Sequence, residues 1–273
     1  MKCLSALILN VAPAAATAAM ILFGASSALA GTQFQIQDRD VSRVISISGS
    51  CGRCDLSGRR LVGANFVGAN FSAATLVGSD LRGAAIIGSN FSESDLTRAD
   101  LRGAELVGSM FVRAILVQAR LDGVAASGAS FVRADLSRAN LSGAELAGSQ
   151  LGQARAAQAN FNNAELLAAD LSGGDFSAAS FRHADLTGAR LSGGRFTRAD
   201  FTDADLRHAN LRGVDLSGAR GLTQGQINEA CSDSSTRLPG GLSPRSCSGG
   251  RGGAPRPVAP PRPFLAIVVA DLD

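Results

Sequence analysis

A large apolar residue recurs at every fifth position from Leu56 to Leu216 with no slip of phase. Of these 33 positions, 30 are Leu or Phe, and the remaining three are Ile86, Ala126 and Ala156. Two residues before each sits a small residue, as in Ala64/Phe66, Ser89/Phe91, Ala134/Leu136 and Ala184/Leu186. The residue between the pair is usually Asp, Asn or Glu. A period of five fits neither the 3.6 residues of a helical turn nor the alternation of a flat strand. It is the period of a solenoid.

The length of one turn is also written in the chain. Phe71, Phe91, Phe111 and Phe131 fall at twenty-residue intervals, as do Phe161, Phe181 and Phe201, and as do Gly68, Gly88, Gly108, Gly128, Gly148 and Gly188. A second, longer period of this kind marks stacked repeats. Four pentads therefore make one coil with four walls.

Segments such as Ala99-Asp100-Leu101-Arg102-Gly103, Ala139-Asn140-Leu141-Ser142-Gly143 and Ala209-Asn210-Leu211-Arg212-Gly213 closely resemble the consensus of the pentapeptide-repeat proteins. The resemblance spans about residues 51 to 220. It implies an all-β fold, a right-handed quadrilateral β-helix of about eight coils, with the central Leu/Phe and the preceding small residue pointing inward.

Steric reasoning leads to the same cross-section. A narrow square shaft accepts one bulky and one small side chain per wall, while the residue between them faces water. Each buried Leu or Phe contributes about 1.5–3 kcal/mol, which offsets much of the entropy of ordering the coils. Eight coils at about 4.8 Å give a rod of roughly 40 Å. The Phe columns are expected to stack along the shaft. Ala126 and Ala156 should leave it underfilled, with local loosening.

Five segments follow from composition. Residues 1–30 carry one charge, Lys2, an apolar run through Ile21-Leu22-Phe23 and the small-residue ending Ala28-Leu29-Ala30. They read as a signal peptide, which places the protein in the periplasm or outside the cell, with an uncleaved anchor as the alternative. Residues 31–50 are expected to cover the first coil, 51–220 to form the solenoid, and 221–247 to form a C-terminal cap. The cap is expected to hold a short helix introduced by the capping-box spacing Thr223-Gln224-Gly225-Gln226. Residues 248–273 begin as a Gly-, Arg- and Pro-rich tail and end in the apolar, β-prone run Phe264 to Val269. That run could dock on the rod, bind something else or self-associate. No stretch beyond the leader reaches the eighteen apolar residues of a spanning helix.

Four cysteines follow the leader. In an oxidising compartment an even number suggests disulfides. Cys51 and Cys54 fall at the large and small inward positions of the first pentad, while Cys231 and Cys247 lie beyond the last coil. The length of the rod separates the pairs by far more than the roughly 7 Å that a disulfide spans between Cα atoms. Pairing within each end is the consistent choice, and Cys231–Cys247 is favoured over Cys51–Cys54. The same distance excludes one four-cysteine zinc site.

Solenoid segment 51–220 carries 18 Arg against 17 Asp plus Glu. Such balance predicts no strong attraction to nucleic acid or to an anionic membrane. Trp and Tyr are absent, which removes two residues that usually stack on single-stranded nucleic acid. His183 and His208 occupy outward positions on different faces and read as solvated rather than metal-binding. Carboxylate pairs such as Asp203 and Asp205 follow from the repeat pattern. No phosphate loop, nucleophile elbow or zinc-helix motif occurs. The expectation is a non-enzymatic protein with no catalytic, cofactor or metal site and no small-molecule substrate.

One feature exceeds the pattern. On the face led by Phe66, Ile86 and Leu106, the residue after the central one is Val67, Ile87, Val107, Ser127, Ala147 and Leu167, with Val77, Val112, Val117 and Val132 on neighbouring faces. An aligned apolar stripe on a surface suggests a docking or self-association site, although strand preference alone also favours Val and Ile. The leading reading is an exported scaffold that presents this stripe to a protein partner. One alternative is the DNA-mimic role the resemblance suggests, in which acidic family members bind DNA gyrase; the balanced charge and the export signal disfavour it. Another is a redox protein using Cys51-x-x-Cys54, which lacks the surrounding βαβ pattern.

Overall fold

The computed structural model describes residues 51–246. The leader 1–30, the segment 31–50, Cys247 and the tail 248–273 lie outside the described residues. Parallel bridges link each residue before the central Leu/Phe to its equivalent twenty residues on, from Asp55↔Thr75 to Asp200↔Arg220. The unchanging register of twenty makes one coil of four pentads, and each pentad is one wall.

Backbone hydrogen bonding explains the five-residue motif. In the pentad centred on Leu136, Leu136 N–H donates to Arg155 O (2.6 Å) and Arg138 N–H to Ala157 O (2.9 Å) on the next coil. Ala139 N–H closes the corner on Leu136 O (2.9 Å), and Asn140 N–H reaches back to Ala119 O (2.9 Å). Four of the five amides are thus satisfied by backbone. The fifth, Ser137 N–H, is taken by the Asp135 carboxylate at 3.0 Å. The same contact recurs from Ser72 to Asn70, Thr97 to Asp95, Thr187 to Asp185 and Thr202 to Asp200. Asp or Asn before the central residue is therefore more than a water-facing choice. It supplies an acceptor that the backbone does not.

Every central residue from Leu56 to Leu216 is buried, together with nearly all the small partners. Phe rings stack at 4.8–5.3 Å between centroids from Phe71 to Phe131, at 4.9 and 5.2 Å along Phe161, Phe181 and Phe201, and at 4.9 Å between Phe176 and Phe196. The last two columns adjoin, and their rings tilt 49–57° to one another. Phe176 and Phe196 follow Gly174 and Gly194, where a Cβ would stand 2.6 and 2.7 Å from the ring. Those rings occupy the space that the small side chain takes elsewhere.

Ala126 and Ala156 do not loosen the backbone as the sequence suggests. Their N–H groups reach the next coil at 2.8 and 2.7 Å, like their neighbours. Each side chain can be small because the wall's position is held by the ladder on both sides, not by core volume. Three of the inward serines are hydrogen-bonded, whereas the Ser79 and Ser149 hydroxyls are buried without a partner among the described residues. Ser94 Oγ donates to Phe91 O at 2.6 Å, and Ser89 and Ser109 donate to Phe66 O and Ile86 O of the preceding coil.

Corners take positive φ. Glycine holds many of them, but so do Arg98, Gln118, Arg138 and His183, with φ of 55–59°. A left-handed non-glycine residue costs about 1–2 kcal/mol. The corner N–H bonded to the coil above holds the conformation against that cost.

At the C-terminal end a short helix, α1 (Gln224–Glu229), closes the shaft. Thr223 caps it, with both arms of the capping box formed. Ile227 is buried against the core, and Gln226 Nε2 donates to the carbonyls of Phe201 (3.0 Å) and Ala204 (2.8 Å). Cys231 and Arg237 then bridge Asn210 and Asp215, and Ser246 bridges Ser232.

Candidate functional site

The outward side chains before and after each central residue decide what a wall presents. On the walls led by Leu61, Leu81 and Leu101 they are mainly charged. Arg82 forms two bonds of 2.8 Å to Asp80, and Arg102 forms bonds of 2.8 and 2.7 Å to Asp100. Asn140 Nδ2 donates to Asp122 (3.0 Å) and Asn160 Nδ2 to Asn140 (2.9 Å), which continues the ladder upward. This wall is neutralised and hydrogen-bonded within itself.

The other three walls differ over one coil. Between Glu105 and Gln118 the outward apolar residues are Val107 on one wall, Met110 and Val112 on the next, and Ile115 and Val117 on the third, with the exposed Arg113 at the corner between the last two walls. Met110 and Ile115 are 44% and 42% exposed. Ile87 lies one coil below Val107, and Val132 one coil above Val112, so the belt widens on two walls. Apolar side chains clustered on a surface, here around one arginine, mark candidate interaction sites.

The stripe read from the sequence is only partly exposed. Val67 and Leu167 stand out, whereas Ile87, Val107 and Ala147 are half-buried. Side chains at one position in successive coils lie a single strand spacing apart and shield one another. Ser127 also separates Val107 from Ala147. Met110 and Ile115 were not singled out in the sequence, although the signal was there: both stand where the repeat usually places Asp, Asn or Glu. Neither side chain can accept the N–H of Val112 or Val117. Val112 and Val117 thus lack the turn bond, worth about 0.5–1.5 kcal/mol where it forms, as do the pentads with Arg60, Ala85, Arg120 and Ala125 at the same place.

Cys51 and Cys54 form a disulfide, with Cα atoms 5.3 Å apart and both residues buried in the first coil. The sequence ranked this pair lower, yet it fills the large and small inward positions of one pentad. Such burial shields it from an attacking thiolate. Cys231 is also disulfide-bonded; Cys247, the partner favoured from the sequence, lies outside the described residues.

A cleft of about 520 Å³ opens beside the cap, lined by Arg207, His208, Glu229, Cys231 and Arg245 among others. Its cations are engaged, Arg207 with Asp205 at 2.6 Å and Arg245 with the carbonyl of Asn228. His183 lies 3.7 Å from Asp203 in the next coil. Among the described residues no group of three or more His, Cys, Asp or Glu is placed to hold a metal, and no helix is long and apolar enough to cross a membrane.

The turn carboxylates titrate low. The Arg82 side chain holds Asp80 below the usual range, Arg102 does so for Asp100 and Arg207 for Asp205. The Ser57 and Ser217 hydroxyls lower Asp55 and Asp215, and the Ser235 hydroxyl leads the contacts that bring Asp233 to about 2. Depressed carboxylate pKa values contribute stability that is present above the unfolded value and is lost as pH falls through the folded values. Urea unfolding is therefore expected to give a flat stability from pH 7 to about 4 and a fall between 3.8 and about 2. Constant stability across that lower window would contradict the turn-bond account.

The sequence model described as Pentapeptide repeats matches in 8 copies across residues 50–85, 79–116, 89–125, 114–155, 144–182 and 179–218. No curated protein sequence matches the chain. Among solved structures, HetL from Nostoc sp. strain PCC 7120, a pentapeptide repeat protein involved in heterocyst differentiation regulation, is 28% identical, covering 73% of this chain and 96% of its own, with a TM-score of 0.40. A structure of QnrB1, a plasmid-mediated fluoroquinolone resistance protein, is 21% identical over 68% of this chain and 92% of its own, with a TM-score of 0.49.

Proposed function

Because the chain belongs to the pentapeptide-repeat family, whose coils form a right-handed quadrilateral β-helix, we propose that it is an exported, non-enzymatic rod that binds a protein partner through the belt at residues 107–117. The observation that carries this reading is the pair Met110 and Ile115. Both are exposed, apolar and placed where the fold gains from an acceptor. Export is supported by the leader-like residues 1–30 and by the buried Cys51–Cys54 disulfide, a bond suited to an oxidising compartment.

Replacing both residues by Asn separates function from folding. Asn restores an acceptor for Val112 and Val117 and adds no charge beside Asp95 and Asp135. Met110→Asn/Ile115→Asn is expected to unfold within about 1 kcal/mol of wild type, since the regained turn bonds balance the lost strand preference. Crosslinking and affinity capture from cell-envelope extracts should meanwhile lose the belt's partner by at least about tenfold, the effect of removing about 1.4 kcal/mol of contact. Ile87→Arg/Val107→Arg serves as a second variant at the edge of the same surface. Identical partner sets for wild type and both variants would remove the belt from the argument.

A further inference from the structure

We infer that Met110 is a reversible oxidation site, at which a hydroperoxide converts the thioether to a sulfoxide and so makes the belt polar without unfolding the rod; the consequence for a partner rests on the belt being an interaction surface, as proposed above. Sulfur side chains are common targets of oxidants, and exposure selects among them. The chain has three methionines, Met1 and Met20 in the leader-like segment and Met110 in the rod. Met110 is 44% exposed. The described cysteines offer no competing thiol, because Cys51, Cys54 and Cys231 are all disulfide-bonded and the first two are buried. Trp and Tyr, which oxidants also attack, do not occur. Between residues 51 and 246 an oxidant therefore meets one thioether, beside Val112 and across the Arg113 corner from Ile115.

In the forward step one oxygen atom passes from the peroxide to Sδ. The sulfur lone pair becomes the S–O bond, the O–O bond breaks, and the remaining oxygen leaves as water or an alcohol, so the thioether is oxidised and the peroxide reduced. A dithiol reductase reverses the step, releasing the oxygen as water and ending as a disulfide. Sulfoxide formation disrupts a protein when the methionine belongs to its core. Here the core position of the pentad is Phe111, which is fully buried, and Met110 lies outside the shaft. Its backbone is held on both sides, by Met110 N–H to Ser89 O at 2.9 Å and by Phe91 N–H to Met110 O at 2.7 Å. In the same column Asn90 lies one coil below and Ser130 one coil above. Asn90 spends its Oδ1 on the Ser92 N–H at 2.9 Å, which leaves its amide NH2 as a donor. Ser130 carries a hydroxyl. The sulfoxide oxygen, a new acceptor, thus forms between two donor side chains, each about one strand spacing away.

The test treats the full chain with hydrogen peroxide. The tryptic peptide Gly103–Arg113, which contains Met110, should gain one oxygen and lose it again on incubation with a methionine sulfoxide reductase. The oxidised protein should melt within about 3 °C of the untreated one, the shift of a surface change of small cost in a chain of this size. It should also elute earlier from a phenyl column, whereas the retention of Met110→Leu should not respond to peroxide. No oxygen gain in the peptide, an unchanged retention or a larger fall in melting temperature would each overturn the inference, the last by making the oxidation damage to the fold. Capture from cell-envelope extracts is scored separately. Oxidised wild type should lose the partner by at least about tenfold and regain it on reduction, while capture by Met110→Leu, compared with itself, should not change on treatment. Loss in Met110→Asn/Ile115→Asn with none in oxidised wild type would overturn the switch and leave the binding surface standing. Oxygen gain and shortened retention with identical capture by every form would uphold the oxidation site and overturn the partner-binding reading.

Discussion

Phe181→Ala is expected to destabilise the C-terminal half of the rod by about 3–5 kcal/mol, the range for loss of a buried aromatic ring. Phe181 stacks on Phe161 and Phe201 at 4.9 and 5.2 Å and meets Phe176 and Phe196 at 6.0 and 5.9 Å. Its removal takes a ring from contact with four others and leaves a cavity whose walls the coil ladder holds apart. Phe131 is the contrast, because it ends its column and stacks only on Phe111, at 5.2 Å. Phe131→Ala should cost about 1 kcal/mol less, the difference expected from fewer ring pairs. Urea titration with probes in each half would read both, since coils of a solenoid couple chiefly to their neighbours. Costs below about 1 kcal/mol for Phe181→Ala would mean that the shaft collapses freely around a void, against the rigid walls described above.

Gly221→Ala should have a comparable effect for a different reason. Gly221 is where the chain leaves the last coil for the cap, with φ of +72°. A Cβ there would lie 2.5 Å from the Cα and N of Thr202. These are backbone atoms of a coil held on both sides and cannot give way. The segment 221–223 leading to α1 must move instead, and the bonds from Gln226 to Phe201 O and Ala204 O go with it. A loss of about 3 kcal/mol or more is expected, with faster hydrogen exchange throughout the last coil. Gly218→Ala is the control. It has nearly the same φ, +67°, but its Cβ would come no nearer than 3.4 Å to the Arg198 side chain. Only the left-handed cost of about 1–2 kcal/mol applies there, and Ala73 and Ala178 already occupy such corners. Equal costs at 218 and 221 would show that the backbone angle, not the close approach, makes Gly221 necessary.

The repeat was legible because its cause is local and periodic. Leu or Phe every fifth residue, a small residue two before it and a twenty-residue echo in Phe and Gly leave no other way to bury so many apolar side chains. The same pattern hid the Asp/Asn turn bond, since a polar residue between two inward ones is sufficiently explained by water. It also hid the value of Gly174 and Gly194, which read as ordinary small residues until the lean of Phe176 and Phe196 is seen.

The candidate site was less legible. Following one column gave Val67, Ile87, Val107, Ala147 and Leu167, a line along the rod. The belt runs around it instead, and Met110 and Ile115 enter only as exceptions to a polar rule. By itself, then, the order of residues determined the coil, its register and which side chains fill the shaft, because burial of a five-residue beat admits a single repeating solution. Only the tertiary structure decided which outward residues adjoin and how far each is shielded. Those properties depend on walls meeting at corners and coils lying a strand's width apart, distances that a linear pattern does not contain.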